Sequence, residues 1–123
     1  MINEIDKVLY TAKTHTTGGR DGAGKSSDGA LDVKLSSPGS NRPGTNPEQL
    51  FAVGWSACFM GAIGLAAKAR SIALPADVAV DAEVDLGITD GIFSPRARPV
   101  VHVPGLIRPL VEALVREAHQ TCP

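Results

Sequence analysis

The chain has 123 residues, 43% of them hydrophobic and 20% charged, and a formal net charge of -1. This is the composition of a globular protein, which excludes a disordered polymer, and near-neutrality gives no electrostatic basis for binding nucleic acid or an anionic membrane. The length fits one domain spanning residues 1–123. Glu4, Asp6 and Lys7 interrupt the start of the chain, which therefore lacks the apolar run of a secretory signal. A cytoplasmic location follows as the expectation, with Cys58 and Cys122 reduced instead of forming a standing disulfide.

In chain order, Lys7 to Thr14 alternates and is rich in β-formers, which predicts a first strand. Gly18 to Gly24 reads as a flexible loop. Leu31, Val33 and Leu35 then share one face of a second, half-buried strand, and the two strands make a hairpin whose loop presents Arg20. Asn46 and Pro47 suit the cap and first position of a helix, with Gln49 placed for a capping box. That helix runs from 47 to about 70, and Leu50, Phe51, Val53, Trp55, Phe59, Met60, Ile63 and Leu65 point in nearly every direction around it. A helix apolar all round is a buried helix, and its length also raises the question of a membrane span. Glu48 and Gln49 at its head, its glycines and the strands around it favour a protein core.

Val78 to Ile88 alternates with Asp81, Glu83 and Asp85 as an amphipathic strand, and Thr89-Asp90-Gly91 is a turn. Ile92 to Val103 is the hairpin partner, demoted by Pro95 and Pro99 to an edge strand or irregular segment. From Pro109, Leu110, Val111, Leu114, Val115 and Ala118 recur at helical spacing to about Gln120. The order β-β-α-β-β-α is an α+β fold, and a homodimer would supply the cover that a wholly buried central helix needs.

Gly19 to Ser26 matches G-x-x-x-x-G-K-[ST], the phosphate-binding loop. That loop requires a following helix to aim N–H groups at phosphate, and here a strand follows, so nucleotide binding is set aside. His15, His102 and His119 show no ligand spacing with either cysteine, so no metal is expected. Cys58 reads in two ways, as core packing or as a reactive thiol. The second is strengthened by Cys122, since a thiol oxidised by peroxide commonly has a resolving partner. Arg20 near sulfur would favour thiolate and Glu48 could orient the guanidinium, or the two are a solvated loop charge and a helix-terminus anion.

Gly18-Gly19-Arg20-Asp21-Gly22, Ser27-Asp28-Gly29, Leu31 to Leu35, Thr45-Asn46-Pro47-Glu48-Gln49-Leu50-Phe51, Ser56-Ala57-Cys58-Phe59 and Ala118-His119-Gln120-Thr121-Cys122-Pro123 carry a resemblance. In order and over nearly the whole chain they resemble the organic hydroperoxide resistance proteins, thiol peroxidases of the OsmC-like superfamily. The resemblance implies an intertwined homodimer with the central helices packed between sheets. It implies Cys58 as the thiol that attacks an alkyl or fatty-acid hydroperoxide, Cys122 as the thiol that resolves it in a Cys58–Cys122 disulfide, and Arg20 with Glu48 as the activating pair. An apolar pocket including Phe51 and Phe59 would hold the substrate. A dithiol, lipoylated protein by resemblance, would be the reductant, and no cofactor is required. The family continues past Cys-Pro with a final strand, which is expected to be missing here. The same fold without turnover, as a redox sensor or an inactive remnant, is the alternative.

Glu48 and Cys58 stand ten residues apart on one helix, about 15 Å along its axis. If both serve one site, either Glu48 comes from a second subunit or the helix is broken between them, and the first is the better expectation.

Overall fold

The computed structural model describes residues 4–121; Cys122, one of the expected site residues, lies outside the described residues. Contacts gather the chain into two compact units, Met1–Pro47 and Glu48–Pro123.

In the first unit, β1 (Thr14–Thr17), β2 (Ala23–Ser26) and β3 (Asp32–Lys34) form an antiparallel sheet in that order. Thr14 lies opposite Ser26, Thr17 opposite Ala23, and Gly24 opposite Val33. The expected two-strand hairpin is therefore a three-strand meander, and the first strand starts seven residues later than its composition suggests. Val8, Leu9 and Tyr10 are β-formers but remain 66, 86 and 80% exposed. Strand propensity expresses packing against neighbours, and among the described residues no strand pairs with Val8 to Tyr10. The middle strand, Ala-Gly-Lys-Ser, has poor propensity and exists because partners on both sides satisfy its backbone. Its link to β3 is tightened at Asp28, whose carboxylate accepts from Ser26 Oγ at 2.6 Å and the Ala30 N–H at 3.0 Å. Beyond β3, Ser36 is buried, donates to the Arg42 carbonyl at 2.9 Å and shares a short hydrogen bond with Ser40 Oγ.

The second unit contains α1 (Pro47–Ala69), β4 (Ala79–Thr89), β5 (Ile92–His102) and α2 (Arg108–Thr121). The first helix starts directly after Asn46, as its cap chemistry predicts, and closes with a Schellman motif. The Ile72 N–H bonds the Ala67 carbonyl at 2.9 Å and the Ser71 N–H bonds that of Lys68 at 3.1 Å. Ser71 takes the left-handed conformation (φ 57°) that glycine usually fills.

Burial of α1 differs from expectation. Phe59, Ala62, Ile63, Ala66 and Ala67 are buried, a stripe at helical spacing, with Leu114 and Ala118 of α2 completing the core. Phe51, Val53 and Leu65 are 50, 72 and 68% exposed. The helix, long and apolar enough by length and composition to cross a membrane, is thus covered on one side only within a single chain. One amphipathic helix and one hairpin have too little apolar surface to wrap a 23-residue helix.

Strand β5 is regular over its full length, in register with β4 from Ala79 opposite His102 to Thr89 opposite Ile92. Pro95 and Pro99 sit four residues apart, so both imide nitrogens point to the same edge, the outer one, where no ladder donor is lost. The connection is a two-residue turn with positive φ at both positions, Asp90 (52°) and Gly91 (78°). That is the type I′ geometry matched to strand twist, and Asp-Gly is among its preferred sequences. On the polar face, Asp85 binds Arg98 at 2.6 Å and Arg96 at 2.9 Å, and hydrogen bonds from Arg98 and then Arg96 hold its carboxyl down at about 2.

Two outcomes follow. Leu114→Ala opens a cavity between the helices and should lower unfolding free energy by about 2–5 kcal/mol, read from urea titration. The Asp85 carboxyl is depressed in the folded state, so its pairs stabilise fully above the ordinary 3.8 and lose that effect as pH falls through about 2. Asp85→Asn should therefore lower the melting temperature at neutral pH, by an amount that shrinks in high salt and vanishes near pH 2.

Candidate active site

The expected site residues are held by both units. Arg20 is exposed in a one-turn 3-10 helix, Gly19–Asp21, between β1 and β2. The turn is anchored by its neighbour. Asp21 accepts from the Ser37 N–H at 3.0 Å and Ser37 Oγ at 3.1 Å, and pairs with Arg42 at 2.7 Å. The Ser37 hydrogen bonds, backbone first, and then the Arg42 charge hold the Asp21 carboxyl below its ordinary range. Gly22 closes the turn, its N–H bonding the Gly19 carbonyl at 3.3 Å. A Cβ there would stand 1.7 Å from the Thr17 carbonyl oxygen, so only glycine fits.

Glu48 lies in the first turn of α1, half-buried, where a carboxylate faces the positive end of the helix dipole. Cys58 is exposed near the middle of the same helix. The helix is continuous from Pro47 to Ala69, which removes the possibility of a break between them. Glu48 and Cys58 of one chain are thus not brought together.

Phe51, Trp55 and Cys58 recur at intervals of four and three and share one stripe of α1. Phe51 is half exposed, so it offers apolar surface on the thiol's own side. Phe59 does not. It is 0% exposed, its ring centroid 5.8 Å from Trp55 and 4.9 Å from His119. A ring so enclosed packs the core and leaves no face for a ligand, which corrects its expected place in an open pocket. A mostly apolar groove runs along another face of α1, lined by Val53, Ser56, Ala57 and Met60 with Val80, Asp81 and Ala82 of β4, and Cys58 is not part of it. From sequence, Met60 is one of the apolar residues of the helix with no groove assigned to it, and the His119–Phe59 contact is not foreseen. The hydrophobic spacing of the second helix registers only its apolar face, and His119 lies on the flank of that face.

Among the described residues no group of three or more His, Cys, Asp and Glu is placed to hold a metal ion. His102 pairs with Asp81 at 2.8 Å across the hairpin. In the phosphate-loop pattern, Ala23 to Ser26 is β2 and its backbone faces ladder partners, so no helix N-terminus is available there.

Comparison with known proteins places these features in context. Residues 37–123 match the family described as OsmC-like protein. An organic hydroperoxide resistance protein of Xanthomonas axonopodis pv. citri is 46% identical over 122 residues, covering 96% of this chain and 86% of its own. A crystal structure of an organic hydroperoxide resistance protein from Legionella pneumophila superposes with a TM-score of 0.86 at 40% identity, covering 95% of this chain and 88% of that one. A Vibrio cholerae structure, described as a putative organic hydroperoxide resistance protein with captopril bound in one of the active sites, gives 0.90 at 35% identity, covering 99% and 86%.

Gly22→Ala should displace the Arg20 turn while sparing the second unit. Backbone amide shifts should change from Thr17 to Ala23 and stay fixed along α2.

Proposed function

Because the chain belongs to the OsmC-like family, among its organic hydroperoxide resistance proteins, we propose that it is a cysteine peroxidase that reduces organic hydroperoxides to alcohols as part of an oxidative stress response. The observation that carries this reading is Cys58, an exposed thiol in the middle of a largely apolar helix, with Phe51 and Trp55 on its own stripe.

In the proposed cycle the Cys58 thiolate attacks one oxygen of the O–O bond. The bond breaks, the alkoxide takes a proton and leaves as alcohol, and sulfur retains the other oxygen as sulfenic acid. The Cys122 thiol then attacks that sulfur, water leaves and a Cys58–Cys122 disulfide forms. A dithiol, lipoylated protein in the reading drawn from the family, reduces it by exchange. The exposed apolar stripe of α1 around Phe51 would bind the alkyl group, which favours alkyl and fatty-acid hydroperoxides over hydrogen peroxide. The chemistry is carried by sulfur and requires no cofactor, and the cycle is assigned to the cytoplasm.

Arg20 is assigned to stabilising the thiolate and Glu48 to orienting Arg20. An unbroken helix keeps Glu48 and Cys58 of one chain about 15 Å apart along its axis, which supports a homodimer in which each site takes Glu48 from the other subunit. The exposed Phe51, Val53 and Leu65 are the surface such a partner would cover.

The direct test is a count of reactive thiols in denatured protein, before and after one equivalent of tert-butyl hydroperoxide. Loss of both thiols per chain, reversal by a dithiol and slower loss with hydrogen peroxide are expected. Two thiols left untouched would mark an inactive remnant, and oxidation without dithiol turnover would mark a sensor. Subunit sharing has its own readout. Cys58→Ser and Glu48→Gln variants, each inactive alone, should recover about a quarter of wild-type activity when refolded together, since half of the dimers carry one intact site.

A further inference from the structure

The last turn of α2 is fastened to the turn of α1 that carries Cys58. Leu114 and Ala118, both 0% exposed, seat the second helix in the core. On the flank of that contact the exposed His119 lays its ring on Phe59, the residue next to Cys58, with ring centroids 4.9 Å apart and planes tilted by 56°. Phe59 is itself fixed, being fully buried and braced by Trp55 one turn earlier. Within α2 itself, Thr121 Oγ1 donates to the Ala118 carbonyl at 3.3 Å and closes the last turn on its own backbone. Cys122 follows Thr121 directly and stands three residues after His119 in the sequence.

We propose that His119 is a positioning residue for disulfide closure: its ring, clamped on Phe59, holds the end of α2 against the Cys58 turn and so sets how fast Cys122 meets Cys58. The role goes beyond the peroxidase reading and rests on it for its place in the cycle, since Cys122 as resolving thiol belongs to that reading. Leu114 and Ala118 already anchor the helix, so the His119 contact adds little that general packing needs. What it adds is a lateral restraint on the final turn, three residues before the sulfur. Closure joins Cys58 sulfenic acid and the Cys122 thiol with loss of water. When closure is slow, a second hydroperoxide oxidises the sulfenic acid to sulfinic acid and a second alcohol leaves. Orientation effects of this kind are large, and a displacement of about 1 Å costs up to about a hundredfold in rate.

The experiment compares wild type, His119→Ala and His119→Phe in single-turnover reactions with cumene hydroperoxide, following alcohol release and disulfide formation separately and sulfinic acid by mass. His119→Ala should leave the first step at the wild-type rate, slow closure about tenfold or more, and raise the sulfinic fraction. His119→Phe, which keeps an aromatic face on Phe59, should restore closure. Diamide, which oxidises paired thiols without hydroperoxide, should show the same order among the three proteins. Closure by His119→Ala at the wild-type rate overturns the proposal. So does an equal slowing of both steps, which is general damage, or a failure of His119→Phe to rescue, which assigns the effect to the imidazole nitrogens. A wild type that forms its disulfide with diamide but ignores cumene hydroperoxide overturns the peroxidase reading instead, and the diamide series still decides the part played by His119.

Discussion

The second unit depends on one contact, the buried stripe of α1 against Leu114 and Ala118 of α2. Three of the five stripe residues are alanine, which leaves Phe59 and Ile63 as its large side chains. Phe59 and Ile63 then fill the space at the level of the thiol-bearing turn. A core this small has few redundant contacts. The same packing that stabilises the unit therefore fixes the rotation of the helix, and with it the direction in which Cys58 points. Stability and the placement of the reactive group are one problem here, solved by the same side chains.

The charged groups divide their work differently. Asp85 gathers Arg96 and Arg98 on the polar face of the hairpin, and Asp21 gathers Ser37 and Arg42 beside the Arg20 turn. Both carboxylates are held in their ionised form by hydrogen bonds from donors on neighbouring segments. The first supports a strand whose prolines turn their nitrogens to its outer edge, away from the ladder. The second holds a glycine-rich turn in one shape, so that a loop with little intrinsic rigidity can present a cation. In each case local charge pairing replaces backbone order that the sequence alone does not supply.

Much of this was legible from residue order. The start of α1 at Pro47 followed from its cap chemistry, and the second helix followed from the spacing of Leu110, Leu114 and Ala118. Assignment to an OsmC-like protein followed from motifs spread along the chain, and the matching family agrees. What failed was local. Lys7 to Ala12 has the right composition for a strand and no ladder partner among the described residues, while Ala23 to Ser26 has the wrong composition and two neighbours. Pairing decided both, and pairing is not a property of either segment. Phe59 was expected in the pocket wall as an apolar residue of the thiol-bearing helix, yet adjacent helix positions face about 100° apart, and Phe59 lies in the core. The uniform apolarity of α1 predicted a helix buried on every side, whereas the single chain buries one stripe of it.

The continuity of α1 also governs which lengths of chain are interchangeable. Between Glu48 and Cys58 there is no loop, bulge or kink in which an extra residue could be absorbed. One insertion there would turn everything beyond it by about 100° and advance it by about 1.5 Å, taking Cys58 off the stripe it shares with Phe51. The stretch from Ser37 to Gly44 has no helix or strand, so an added residue there shifts no register, provided Ser37 and Arg42 keep their hold on Asp21. The helix is in effect a ruler with two marks, and the spacing between them is as much a part of the protein's chemistry as the residues at either end.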